Sequence, residues 1–125
     1  MTKKIIALLL SVLMLCSALS GCIIDNAVKF TNPGGLYRIN ITSRDKKTYV
    51  SVYNEGQGIP EAELPYVFDR FYKSDKSRGL DKTGVGLGLY ITKTIMDAHN
   101  EEIWVKSVYG EYCEFVFTLQ SVVSK

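Results

Sequence analysis

The sequence has a single histidine and only three cysteines, Cys16, Cys22 and Cys113. The cysteine count is odd and no CxxC pair occurs, so neither a zinc site nor a disulfide framework is supported. Cys113 falls in an alternating apolar run and is expected to be a buried thiol. Net charge is scarce as well: it is +2, and the lysines and arginines are scattered rather than blocked. That leaves no polyanion stripe and argues for no nucleic acid partner. Internal repeats and low-complexity tracts are absent, as is the Walker lysine pattern. The dinucleotide fingerprint is missing too, because its third glycine comes later and it follows a strand. One further absence divides the chain: residues 5–24 contain no charged side chain at all.

What is there reads as two unlike parts. Lys3 and Lys4 precede an apolar run over residues 5–15, and small residues end in Leu19-Ser20-Gly21-Cys22. A positive start, an apolar centre and a small-residue end is the layout of a secretory signal. The last four residues are similar to the lipobox of bacterial lipoprotein signal peptides, in which the cysteine is lipidated after cleavage. Two other readings stay open: a membrane anchor, since a span takes ~20 residues, or a buried hydrophobic helix. Residues 1–22 are therefore a signal-like or hydrophobic helical segment, with membrane association expected through residues 1–24.

Residues 23–125 have ordinary globular composition and amount to one modest domain. Tyr37 to Thr42 and Thr48 to Tyr53 alternate with period two around the polar turn Ser43-Arg44-Asp45-Lys46, which predicts a hairpin. Leu64, Val67, Phe68 and Phe71 predict a helix over 61–72, with Phe68 and Phe71 packed inward. The polar, glycine-containing stretch 73–84 reads as a mobile loop. Leu87, Ile91, Ile95 and Ala98 mark a helix running to about His99. A last hairpin is expected over 103–108 and 112–119. The fold class is α+β: a two-layer α/β sandwich with helices on one face of a mostly antiparallel sheet.

Four elements carry chemistry. In Asp25-Asn26-Ala27-Val28-Lys29, Asn26 and Lys29 share a helix face. An amide oxygen suits Mg²⁺, and an ammonium suits phosphate. In Asn54-Glu55-Gly56-Gln57-Gly58-Ile59, two glycines after a strand allow a tight turn and close approach to the backbone. There Asn54 is placed to accept a hydrogen bond from an adenine amino group. In Phe68-Asp69-Arg70-Phe71-Tyr72-Lys73, Arg70 and Lys73 are left for a ligand or solvent. In Thr83-Gly84-Val85-Gly86-Leu87-Gly88, glycines run into a helix start, where backbone N–H groups can hold phosphate. The first alone also fits a solvated helix end, and the second a plain glycine-rich turn.

In this order the four elements resemble the N box, first glycine box, F box and second glycine box of bacterial sensor histidine kinases. Their catalytic domains share the Bergerat fold with gyrase and the Hsp90 chaperones. The similarity covers residues 26–120, and residues 64–73 and Trp104-Val105-Lys106-Ser107 look like the kinases rather than their cousins. The resemblance implies ATP and Mg²⁺ as ligands. Asn26 would hold the metal and Lys29 the phosphates, while Asn54 stands where the family's usual aspartate reads adenine. Gly56, Gly58, Ile59 and Phe68 would shape the base pocket. Thr83, Gly84, Val85, Gly86, Leu87 and Gly88 would close on the phosphates, with residues 73–82 as the lid. Arg70 and Lys73 would meet the γ-phosphate. The implied reaction is transfer of the ATP γ-phosphoryl to a histidine, in a two-component system with a response regulator as partner.

The departures matter too. Cys22 occupies the position of an earlier family asparagine. The family's first strand pair and its histidine-containing dimerisation helices have no counterpart here, so residues 23–125 read as a partial catalytic domain. His99 sits where the family commonly has His-Gly and is expected to be structural, not a phosphoacceptor. Asn100 replaces that glycine and can take the left-handed conformation that ends a helix. A histidine would then have to be supplied in trans. The kinases use cytoplasmic ATP, which conflicts with a lipoprotein-like start. The alternative reading is a non-enzymatic lipoprotein or a degenerate nucleotide-binding fragment.

Overall fold

The computed structural model describes residues 3, 20–73 and 87–120. A π-helical turn, Ser20–Ile24, runs directly into helix α1, Asp25–Phe30. Strands β1 (Tyr37–Arg44) and β2 (Lys47–Glu55) follow, then a 3₁₀ turn, Glu61–Tyr66. Helix α2 (Gly88–Ala98) and strands β3 (Ile103–Val108) and β4 (Tyr112–Gln120) complete the described fold. The sheet order is β1-β2-β4-β3, and every pairing is antiparallel.

Turn chemistry explains the joints. Asp45 and Lys46 both have positive φ, 54° and 65°, as a two-residue hairpin turn matched to strand twist requires. At the end of α2, Asn100 takes φ 56°. Its N–H bonds the Asp97 carbonyl and the Glu101 N–H reaches back to that of Met96. This is a Schellman ending with asparagine in the usual glycine place. His99 lies just before it, its Nδ1 2.9 Å from the Ile95 carbonyl oxygen.

The core lies between the sheet and the helical layer. Alternate residues of β4 (Cys113, Phe115 and Phe117) join Val52 of β2 and Ile103 of β3 beneath Ile23, Ala27 and Met96, as the period-two alternation of strand side chains requires. On the opposite face the buried Thr118 hydroxyl donates to Glu101 Oε1 at 2.8 Å, and Lys47 Nζ reaches the same oxygen at 2.6 Å. This network ties the start of β2 and the end of β4 to the loop after α2.

Two expectations need correcting. The helix predicted over 61–72 stops at Tyr66. Pro65 has no N–H to donate, and beyond it only separate turns form, Asp69 N–H to Tyr66 and Tyr72 N–H to Asp69. Phe71, expected to pack inward, has φ 68° and is 63% exposed. Among the described residues the helical layer also stops short of β1. All eight of its residues are exposed. That includes Ile39 and Ile41, which pair with Val52 and Val50 and so share their side of the sheet.

Candidate functional site

The first helical segment and the start of α2 are held together. Cys22 Sγ lies 3.0 Å from where a Cβ on Gly88 would stand. It also hydrogen-bonds the Thr92 side chain, and burial raises its thiol pKa above the ordinary value. Thr92 in turn donates to the Gly88 carbonyl. Asn26, half-buried, follows Cys22 by about one helical turn. Lys29 is exposed in the last turn of α1, its Nζ 5.6 Å from the Phe30 ring centroid. Asn26 and Gly88 therefore belong to two helices that touch at Cys22. Leu87, half-buried, precedes Gly88. Thr83, Gly84, Val85, Gly86 and the lid stretch beyond Lys73 lie outside the described residues.

The end of β2 meets this pair from the sheet. Asn54 is 4% exposed on the helix-facing side, opposite Cys113. Its Nδ2 has no hydrogen-bond partner among the described residues. Gly56 bridges to Thr31 at the end of α1, and a Cβ there would lie 2.2 Å from the Phe30 carbonyl oxygen. Gly58 has φ 69°, and a Cβ on it would strike the β3–β4 hairpin at the Val108 carbonyl, 2.7 Å away. Both glycines thus serve close approach to the protein's own backbone. Ile59 is strapped to the same hairpin by its N–H to Ser107 Oγ at 2.7 Å, and its side chain packs on the core.

The third group stands at the rim. Arg70 is exposed, its guanidinium 5.0 Å from the Tyr90 ring centroid and donating to Tyr90 Oη at 3.0 Å. That hydrogen bond, with the charge behind it, holds the Tyr90 phenol below its ordinary pKa. Phe68 packs edge-on against Phe115 with centroids 6.0 Å apart, so it borders the core. Lys73 is half-buried at the edge of the described segment. Tyr90 and Thr92 were missed in the sequence. Their only signal was their position in the first turn or so after the glycines.

The described candidate residues thus include an amide, an ammonium and a guanidinium group and a helix start, on a sheet with helices on one side. The chain belongs to the histidine kinase-, DNA gyrase B- and HSP90-like ATPase family, whose sequence model matches residues 21–122. Within that family its similar proteins are sensor histidine kinases. It is 41% identical over 99 residues to sensor histidine kinase WalK of Bacillus subtilis (strain 168), covering 78% of this chain and 16% of WalK. It is also 41% identical over 98 residues to the adaptive-response sensory kinase SasA of Synechococcus sp. (strain JA-3-3Ab), covering 78% of this chain and 26% of SasA. The chain thus spans 16% and 26% of the length of these two curated relatives.

Solved structures agree on the fold. A mycobacterial sensor histidine kinase, MprB, superposes with TM-score 0.70 at 28% identity, covering 83% of this chain and 72% of that one. The catalytic domain of histidine kinase ThkA superposes with TM-score 0.66 at 27% identity, covering 89% and 66%. The described fold is that of an ATP-binding catalytic domain of the sensor histidine kinase type.

Proposed function

We propose that the site binds Mg²⁺-ATP and passes its γ-phosphoryl to a histidine on the dimerisation helices of a kinase, which then serves a response regulator. The observation that carries this reading is the contact of the Asn26 helix with the start of α2, through Cys22, Gly88 and Thr92. It gathers an oxygen donor and a helix N-terminus, where backbone N–H groups favour phosphate. The buried Asn54 carboxamide, whose Nδ2 has no partner among the described residues, adds a group able to donate or accept at a base edge.

Catalysis of this kind is mostly positioning and charge neutralisation. Asn26 would supply an oxygen donor for the metal, the ligand type that a hard cation prefers. Among the described residues no group of three His, Cys, Asp or Glu could hold a metal ion by itself, which fits a metal brought in with its nucleotide. Bound Mg²⁺ would neutralise phosphate charge. Lys29 holds phosphate oxygens, and Arg70 and Lys73 draw in the outermost phosphate. Leu87 and Gly88 contribute the helix start, and residues 83–86 precede it in sequence. His99 is not placed to be the phosphoacceptor, because it sits at the far end of α2 from Gly88. Eleven helical residues span about 16 Å.

The lipoprotein alternative has an observation against it. A lipid thioether at Cys22 would need room beside Sγ, where Gly88 already packs. Membrane attachment through residues 1–24 remains part of the proposal. Among the described residues no helix is long and apolar enough to cross a membrane.

The test is a titration of a fluorescent ATP analogue with and without Mg²⁺ on the native chain and on Asn26→Ala. The native chain should bind saturably and more tightly with Mg²⁺, and Asn26→Ala should lose the Mg²⁺-dependent part while keeping its fold. An Asn26→Ala variant that matches the native chain would remove Asn26 from the metal site. Absence of saturable binding by the native chain would leave the degenerate-fragment reading.

A further inference from the structure

Asn54 is 4% exposed, and its Nδ2 is the buried side-chain donor without a partner among the described residues. Such groups are uncommon in folded proteins, and each asks for a physical reason. The neighbours offer little. The register places Cys113 and Tyr37 beside it, and a Cβ on Gly56 would stand 3.0 Å from the nitrogen. A thiol is a weak acceptor, and a glycine side offers none.

We infer that the base subsite is not confined to a 6-aminopurine, and that Asn54 lets it take 6-oxopurine nucleotides, such as inosine triphosphate, about as well as ATP. This rests on the nucleotide-site reading above. A carboxylate at this position can only accept hydrogen bonds, whereas a carboxamide offers both a donor and an acceptor. A 6-amino group needs the acceptor and a 6-oxo group needs the donor. In the orientation seen here the donor stands unpaired, which matches the hydrogen-bonding need of a 6-oxo group. A 6-amino group requires the amide to turn over, which exchanges its oxygen and nitrogen.

The experiment is displacement of fluorescent trinitrophenyl-ATP from the full 125-residue chain by ATP and, separately, by inosine triphosphate. Inosine is chosen because it lacks the additional amino group of guanosine. On the native chain the two are expected within about tenfold of each other, less than one unpaired buried hydrogen bond can impose. In Asn54→Asp, inosine triphosphate should weaken by about tenfold or more while ATP is retained. Inosine triphosphate weaker than ATP by more than about tenfold on the native chain overturns the inference and leaves the ATP site standing. An unchanged ratio in Asn54→Asp overturns it likewise. Failure of both nucleotides to displace the probe overturns the nucleotide site itself and this inference with it. Should Asn54→Asp not fold, judged by circular dichroism, the native ratio alone decides.

Discussion

Arg70 and Tyr90 stand 20 residues apart in sequence and meet at 3.0 Å, guanidinium over ring. The cation stabilises the phenolate, so the phenol titrates below its usual value. Arg70→Met should therefore move the Tyr90 titration upward, toward the ordinary phenol range, in a carbon NMR titration of the ring. An unmoved Tyr90 would mean that the pair does not form in solution. The same signal reports on the site. Phosphate that draws Arg70 away removes its support from Tyr90, so nucleotide binding should shift the phenol in the same upward direction. An unmoved phenol would argue that Arg70 stays on the ring and takes no part in holding phosphate.

At the scale of elements, Thr118 joins β4 to the loop after α2. Its hydroxyl donates to Glu101 and accepts the Glu102 N–H at 2.9 Å. Thr118→Val keeps the shape but leaves a buried carboxylate short of one partner, and should lower stability by about 1–3 kcal/mol in urea denaturation. A change within about 0.5 kcal/mol would place it with ordinary surface substitutions. The strands and α2 were legible in the sequence because alternation and helical spacing are local signals, and Asn100 ends α2 as expected. The 61–72 stretch was not, since Phe71 fits the spacing while Pro65 ends the regular hydrogen bonding. Nor does alternation say how far a helical layer reaches, which is why the exposure of Ile39 and Ile41 appears only in the structure. At the site, the order of the four elements was legible. The attachment of Arg70 to Tyr90 and of Cys22 to Thr92 depends on long-range packing, which leaves no periodic trace.

The whole molecule feels the Cys113 thiol through pH. Burial pushes its pKa from 9.0 up to about 12. Between those values the unfolded chain gives up the proton and the folded chain keeps it, so stability falls as pH rises through that window. Below pH 9 the contribution is fully present, and its loss by pH 12 amounts to at most about 4 kcal/mol. In Cys113→Ala, denaturation curves between pH 9 and 12 should show a shallower decline than the native chain, whatever the fixed penalty of the smaller side chain. Parallel slopes would show that another group governs alkaline unfolding.

The sheet order also bears on how the chain folds as it is made. β4 lies between β2 and β3, so the middle strand is the one synthesised after both of its neighbours. Once the first hairpin has emerged from the ribosome, roughly 60 further residues must be added before β2 can find β4, on the order of 3–12 s at ordinary elongation rates. During that interval the inner edge of β2, with Val50 and Val52, has no native strand to pair with. A nascent chain arrested before residue 112 therefore offers chaperones an open hydrogen-bonding edge, and release of the last strand closes it.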